Sequence, residues 1–210
     1  PVQSTRGCPL NCDFCAASRT ISAYRKKPFE LLKRDLEAAK RHARHPFVEL
    51  ADDNSFVDKT WARGLVETMG AANVKWFTET DLSIAEDPEL LDLLAQSGCR
   101  QLLVGLESPR ASDLVRIDRR GQKARWMDKA RRAIDAIQSR GLSLNGCFVL
   151  GLDSQGPEVF EQVLEPTAWQ RCTLFDVNFV PAKMTVSELE TGLAELMRTL
   201  YTDARRRRRT

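Results

Sequence analysis

The feature that most constrains this chain is a repeating order. A short apolar or β-branched run precedes an amphipathic helical pattern, five times in succession. Val2–Thr5 reads as the first strand and leads into a cysteine-rich loop. Pro28 then opens a helix with Phe29, Leu32, Leu36 and Ala39 on one face. Phe47–Ala51 is the second strand, and Asp58 is placed to cap a helix carrying Trp61, Leu65 and Met69. Lys75–Thr80 is the third strand, followed by an Asp87 cap, Pro88 at the first helical position, a Leu90, Leu91, Leu94 stripe and a Gly98 stop. Gln101–Leu106 is the fourth strand, and a long helix over Gln122–Arg140 turns Met127, Ala130, Ile134 and Ile137 inward. Ser143–Leu150 is the fifth strand and Pro157–Glu165 a short helix. Beyond it, Cys172–Val180 reads as a sixth strand and Val186–Tyr201 as a helix with Leu189, Leu193, Leu196 and Leu200 aligned.

Successive strand–helix units imply an α/β fold, with a parallel sheet and helices outside it. A closed eight-unit barrel needs about 250 residues, more than the 210 here. An open doubly wound sheet or a partial barrel fits the length. In both layouts chemistry collects at the carboxyl ends of the strands. The polar residues just past the runs therefore stand out: the cysteine loop, Asp52–Asp53, Glu79–Thr80–Asp81, Glu107–Ser108 and Asp153. Helix capping is the ordinary alternative for each acid.

The cysteine loop reads RGCPLNCDFC, with Cys8, Cys12 and Cys15 spaced C-x3-C-x2-C. A disulfide would use two thiols and strand the third, in a chain whose first thirty residues lack a signal-peptide core. The expected compartment is the cytoplasm. Zinc would need a fourth ligand from Cys99, Cys147, Cys172, His42 or His45, and Cys99 and Cys147 sit near strand starts, at the opposite end of the sheet. Redox chemistry at Cys12 and Cys15 leaves Cys8 without a role. An iron–sulfur cluster takes closely spaced thiolates. A four-iron cube on three of them keeps one iron open to a ligand. No run of about 18 apolar residues is present to span a membrane. The net charge of +3 comes from Arg205–Arg209. No aromatics for base stacking interleave with those arginines, so nucleic acid is not an expected partner.

These motifs resemble those of the radical S-adenosylmethionine (radical SAM) superfamily. The triplet follows the first strand, with an aromatic, Phe14, just before its last cysteine. STRGCPLNCDFC, ADDNSFVD at Ala51–Asp58, GLES at Gly105–Ser108 and GCFVLGLD at Gly146–Asp153 occur in order. Together with NFVPAKMTVSELETG at Asn178–Gly192, they resemble the cobalamin-associated branch that includes hopanoid C-methylase-like proteins. The resemblance implies a partial (β/α)6 TIM-like barrel over 1–165, with an incomplete or substituted sixth unit. A C-terminal extension over 166–201 and a disordered basic tail over 202–210 follow.

It also implies that Cys8, Cys12 and Cys15 each ligate one iron of a [4Fe-4S] cluster, and that S-adenosyl-L-methionine chelates the fourth. Phe14 is expected against the adenine, and Asp52 and Asp53 near the methionine ammonium. Glu107 and Ser108 are expected near the ribose or the amino-acid part. Gly146 and Phe148 are expected to offer backbone and apolar surface to the adenine. The implied reaction is reductive cleavage to a 5′-deoxyadenosyl radical that abstracts hydrogen, including radical C-methylation. An external one-electron reductant of the flavodoxin or ferredoxin type and a small-molecule or lipid-like substrate are the expected partners. Cobalamin would be held by a domain absent from this chain. The chain starts without Met, which is expected of a fragment of a longer protein. The competing readings are a zinc or nucleic-acid-binding module and an inactive truncated relative.

Overall fold

A computed structural model describes residues 1–10, 12, 14–15, 23–43, 45–117, 121–127, 129–159, 183–200 and 202. They fall into two compact units, Pro1–Gly105 with Lys129–Leu144, and Leu106–Asp128 with Asn145–Thr210. Elements are numbered along the described residues.

Two short strands, β1 (Thr5–Arg6) and β2 (Arg25–Lys26), pair antiparallel across the cysteine loop. The parallel sheet has the order β3 (Phe47–Leu50), β4 (Lys75–Thr80), β5 (Cys99–Glu107), β6 (Ser143–Phe148). Val2 joins its edge through a parallel bridge to Leu50. Among the described residues this sheet does not close into a barrel. β3 with β4 and β4 with β5 are parallel neighbours because a helix carries the chain back each time.

The helices of the first unit follow the predicted stripes. Helix α1 (Phe29–His42) buries Leu32 and Leu36, and α2 (Lys59–Ala72) buries Ala62, Leu65, Val66 and Met69. Helix α3 (Pro88–Gln96) buries Leu90, Leu91 and Leu94. The caps are where the sequence put them: Asp58 accepts from Trp61 N and Asp87 from Leu90 N, both at 3.0 Å. Each such cap contributes about 1 kcal/mol. After α3 the chain turns at Gly98, φ +90°, where a Cβ would meet the Val74 carbonyl oxygen at 2.4 Å. Glycine is required there on both counts.

Two differences from expectation concern the helices. The predicted long helix over Gln122–Arg140 is two helices, α5 (Gln122–Met127) and α6 (Ala130–Gln138). A further helix, α4 (Ala111–Ile117), precedes them. Lys129, just before α6, lies outside both helices. Helix α7 (Val186–Leu200) matches its predicted span and buries Leu189, Leu196 and Leu200. The expected sixth strand over Cys172–Val180, most of the Pro157–Glu165 helix and nearly all of the basic tail lie outside the described residues.

The two faces of the sheet differ. Val48, Leu50, Trp76, Thr78, Thr80, Leu102 and Val104 are buried. The alternate residues Glu49, Phe77, Gln101 and Leu103 are half-buried and Glu79 is exposed. The strand period of two thus turns one face into the helix-packed core and leaves the other accessible and mixed in character.

Candidate metal and cofactor site

The cysteine loop belongs to the first unit and starts from a fixed point. Gly7 is buried with φ +74°, so the chain leaves β1 by a turn that a side chain would strain. Cys8, Cys12 and Cys15 are all half-buried, and Cys15 N donates to the Cys12 carbonyl at 3.2 Å. Phe14 is 38% exposed. Burial is the main force pushing the Cys8 thiol above its ordinary pKa; a backbone bond at Leu10 pulls it down, and Cys15, Asp53 and Asp81 push it up again. Without a cation the Cys8 thiol is held in its neutral form, and positive charge beside it reverses that balance.

The donor set fits an iron–sulfur cluster: three soft sulfur donors on one short loop, partly shielded from water. Among the described residues no three His, Cys, Asp or Glu side chains, the three loop cysteines included, gather around one metal position. Cys99 is fully buried at the start of β5, its thiol pushed up to about 12 by burial. His42 and His45 are exposed and precede β3, whereas Asp52 and Asp53 follow it.

Asp52 and Asp53 end β3 and do different things. Asp52 is 2% exposed. Its Oδ1 accepts from Ser4 N at 2.7 Å and Thr5 N at 2.8 Å. Its Oδ2 accepts from Ser55 Oγ at 2.8 Å and also from Ser4 Oγ. Ser55 and Thr78 hydroxyls then meet at 2.6 Å, linking β1, the loop after β3, and β4. Both oxygens of Asp52 are therefore engaged inside the protein. Asp53 is half-buried and has no hydrogen bond among the described residues. Nearby, Asn54 Nδ2 donates to Asp81 Oδ2 at 2.7 Å, and Asp81 Oδ1 accepts from Ser83 N at 2.7 Å. Glu79 lies near the end of β4 and is exposed to water. Burial is the chief cause of its raised carboxyl pKa, followed by Asp53, Glu49 and Asp52.

The second unit holds the other strand-end pair. Glu107 is 8% exposed and has φ +64°, a left-handed conformation uncommon outside glycine. Its Oε1 accepts from Lys123 Nζ at 2.7 Å. Ser108 is fully buried. Its Oγ donates to Asp113 Oδ2 at 2.6 Å and accepts from Arg110 N at 3.2 Å and Gln155 Nε2 at 3.3 Å. Asp113 also accepts from Ser154 Oγ at 2.6 Å, Gln155 Nε2 at 3.0 Å and Arg110 Nε at 3.1 Å. Burial alone would raise the Asp113 carboxyl, but these donors together hold it below its usual range. Gln155 Oε1 in turn accepts from Gly151 N at 2.8 Å and Leu152 N at 3.1 Å, which fixes the turn after β6. Gly146 and Phe148 are on the buried side of β6, and Asn145 and Cys147 take the half-buried alternate positions.

Lys123, Asp113 and Gln155 were not singled out from the sequence. Lys123 lies in a basic run that reads as solvated surface, and Asp113 and Gln155 reach partners more than forty residues away.

The chain matches the model of the radical SAM superfamily over residues 2–165. It is 27% identical over 157 residues to the bacteriochlorophyllide d C-8(2)-methyltransferase of Chlorobaculum tepidum, covering 71% of this chain and 34% of that protein. It is 24% identical over 192 residues to the hopanoid C-2 methylase of Rhodopseudomonas palustris, covering 86% of this chain and 35% of that protein. The structure superimposes on the radical S-adenosylmethionine methyltransferase TsrM of Kitasatospora setae, solved with cobalamin and a [4Fe-4S] cluster bound. The TM-score is 0.67 at 18% identity, over 77% of this chain and 33% of that one. The cobalamin-dependent S-adenosylmethionine radical enzyme OxsB gives a TM-score of 0.65 at 17% identity, over 94% of this chain and 30% of that one. The chain thus spans about a third of the length of the curated relatives it matches. These likenesses bear out the partial-barrel expectation and the resemblance to the cobalamin-associated branch. By the match that runs from Val2 to Glu165, this chain belongs to the radical SAM superfamily.

Proposed function

We propose that the chain is the S-adenosylmethionine-cleaving core of a cobalamin-associated radical enzyme, with radical C-methylation as its reaction class. The observation that carries this is the placing of Cys8, Cys12 and Cys15, all half-buried, on one loop of a radical SAM domain. The chemistry a bound cluster supplies is one-electron reduction, which splits a carbon–sulfur bond of a sulfonium and leaves a carbon-centred radical.

The chain's own residues bind and orient. Cys8, Cys12 and Cys15 are the cluster ligands, and Phe14, exposed beside the last of them, offers an aromatic face to the adenine. Asp53, with no hydrogen bond among the described residues, is the carboxylate for the methionine ammonium. Asp52 supports it from inside, because its oxygens are already bonded to Ser4, Thr5 and Ser55. In the second unit, Glu107 keeps Oε2 for a ribose hydroxyl while Lys123 holds Oε1. Ser108 acts through the Asp113 network rather than as a ligand. On β6, backbone at Gly146 and Phe148 is the surface offered to the adenine.

The methyltransferases named above support a small-molecule or lipid-like substrate, and the cobalamin named with TsrM and OxsB supports a cobalamin domain outside this chain. Residues 1–165 form the core, 166–201 an extension and 202–210 a basic tail. An external flavodoxin- or ferredoxin-type protein delivers the electron, in the cytoplasm. No helix among the described residues is long and apolar enough to cross a membrane.

Anaerobic reconstitution with iron and sulfide tests the reading. The chain should turn brown and bind close to four irons (the cube's own count, about one per sulfide). Dithionite with S-adenosylmethionine should then release 5′-deoxyadenosine. Single alanine variants of Cys8, Cys12 and Cys15 that retain a full cluster would overturn the ligand assignment. A full cluster with no S-adenosylmethionine cleavage would identify an inactive relative instead.

A further inference from the structure

Two buried side-chain hydroxyls in the described structure have no hydrogen-bond partner: Thr5 Oγ1 and Tyr24 Oη. Buried polar groups are so regularly paired that each exception calls for a cause, an absent ion among them.

The location of Tyr24 suggests one. The β1–β2 register pairs Thr5 with Lys26 and Arg6 with Arg25. Tyr24 directly precedes Arg25, and Arg6, the partner of Arg25, lies two residues before Cys8. Burial first, then Asp58, Asp52 and Cys8, push the phenol's pKa up to about 12. A neutral phenol is a hydrogen-bond donor.

Its neighbours narrow the choice of acceptor. Asp52 is engaged by Ser4, Thr5 and Ser55. Asp58 accepts from Lys26 Nζ at 2.7 Å on Oδ2 and from Trp61 N at 3.0 Å on Oδ1. Of the three groups, Cys8 is the one that gains negative charge when iron binds, since a thiol must lose its proton to become a ligand.

We infer that Tyr24 is a positioning residue for the iron–sulfur cluster, its hydroxyl donating a hydrogen bond to sulfur at the Cys8 corner once the cluster is in place. This rests on the ligand assignment proposed above. Hydrogen bonds to sulfur help set the potential of such clusters. A donor stabilises the more negative, reduced state more than the oxidised one. Tyr24 therefore eases entry of the electron.

Tyr24→Phe keeps the ring and removes the donor. The variant should bind the same iron and sulfide as the parent chain. Its midpoint potential, read by a redox titration monitored by electron paramagnetic resonance, should move negative. At a fixed applied potential the reduced-to-oxidised ratio should fall roughly threefold or more, the scale of one hydrogen bond. The metal-free variant should melt no lower than the metal-free parent, since it buries no orphaned hydroxyl. An unchanged potential with a full cluster would overturn the inference.

A second measurement covers a variant that fails to fold. The chain has two tyrosines, Tyr24 and Tyr201. Global replacement by 3-fluorotyrosine makes the phenol a stronger donor, so the potential should move positive, also when Tyr201 is phenylalanine. No movement would again overturn the inference. A parent chain that takes up no iron and sulfide would sink the ligand assignment, and this inference with it, before any tyrosine is changed.

Discussion

The two strand-end pairs, Asp52–Asp53 after β3 and Glu107–Ser108 after β5, solve one problem in opposite order. In each, one residue is bonded into a network of several donors, and its neighbour keeps at least one carboxylate oxygen outside the hydrogen bonds of the described residues. After β3 the inward member comes first: Asp52 takes donors from Ser4, Thr5 and Ser55, and Asp53 has no hydrogen bond among the described residues. After β5 the inward member comes second: Ser108 sits in the Asp113 network, and Glu107 is held by Lys123. Adjacent residues of a strand point to opposite sides, so a pair at a strand end readily splits into an anchor and a presented group. The backbone marks the difference. Glu107 needs φ +64° to make the split.

If anchors and presented groups are distinct, stability and ligand binding should separate on mutation. The largest effect on stability belongs to Asp52→Ala, which orphans four donors and should cost about 3–5 kcal/mol in urea unfolding. An equal loss from Asp53→Ala would break the comparison. Next is Asp113→Asn, expected to cost about 2–3 kcal/mol through its buried network.

That carboxyl is held below its usual range, so its stabilisation is present above about pH 4 and lost as pH falls through the lowered value. Asp113→Asn should flatten the acid limb of a stability–pH curve. Ser108→Ala should cost less, about 1–2 kcal/mol. Asp53→Asn should leave unfolding within about 0.5 kcal/mol of the parent, while weakening S-adenosylmethionine binding roughly tenfold in calorimetry of the cluster-loaded chain.

The smallest effect has the opposite sign. The Glu79 carboxyl is raised, so its contribution is whole below about pH 4.3 and lost as pH rises through the raised value. Glu79→Gln should therefore slightly raise the melting temperature at pH 7. A lowered melting temperature would show that Glu79 has a stabilising partner.

What the sequence disclosed was local. Asp58 and Asp87 announce helix starts because a cap sits three residues from the N–H it serves. Lys75–Thr80 was readable as a strand, residue for residue, because β-branched and aromatic side chains crowd it. Asp52 could be placed at a strand end but its job could not be read, since Ser4 lies 48 residues away. The division of Gln122–Arg140 into two helices was hidden because the apolar period runs through the break. Lys123 was hidden among other basic residues, where nothing local distinguishes an ion-paired lysine from a solvated one. The accessible, mixed face of the sheet was concealed by the apolar content of the runs, since a parallel sheet with helices outside it ordinarily has both faces covered.

The Asp52 anchor also has a consequence in time. The segment that aims the cysteine loop is held by a residue about fifty positions later, which must be synthesised and folded into the end of β3 first. Closing a loop of that length costs entropy before it returns any contact. The cysteines precede Asp52 in the chain, yet the place they occupy forms only once Asp52 is in position. On the proposed ligand assignment, metal loading then belongs after the end of β3 has folded, and a chain halted before Asp52 would present three thiols without that anchor.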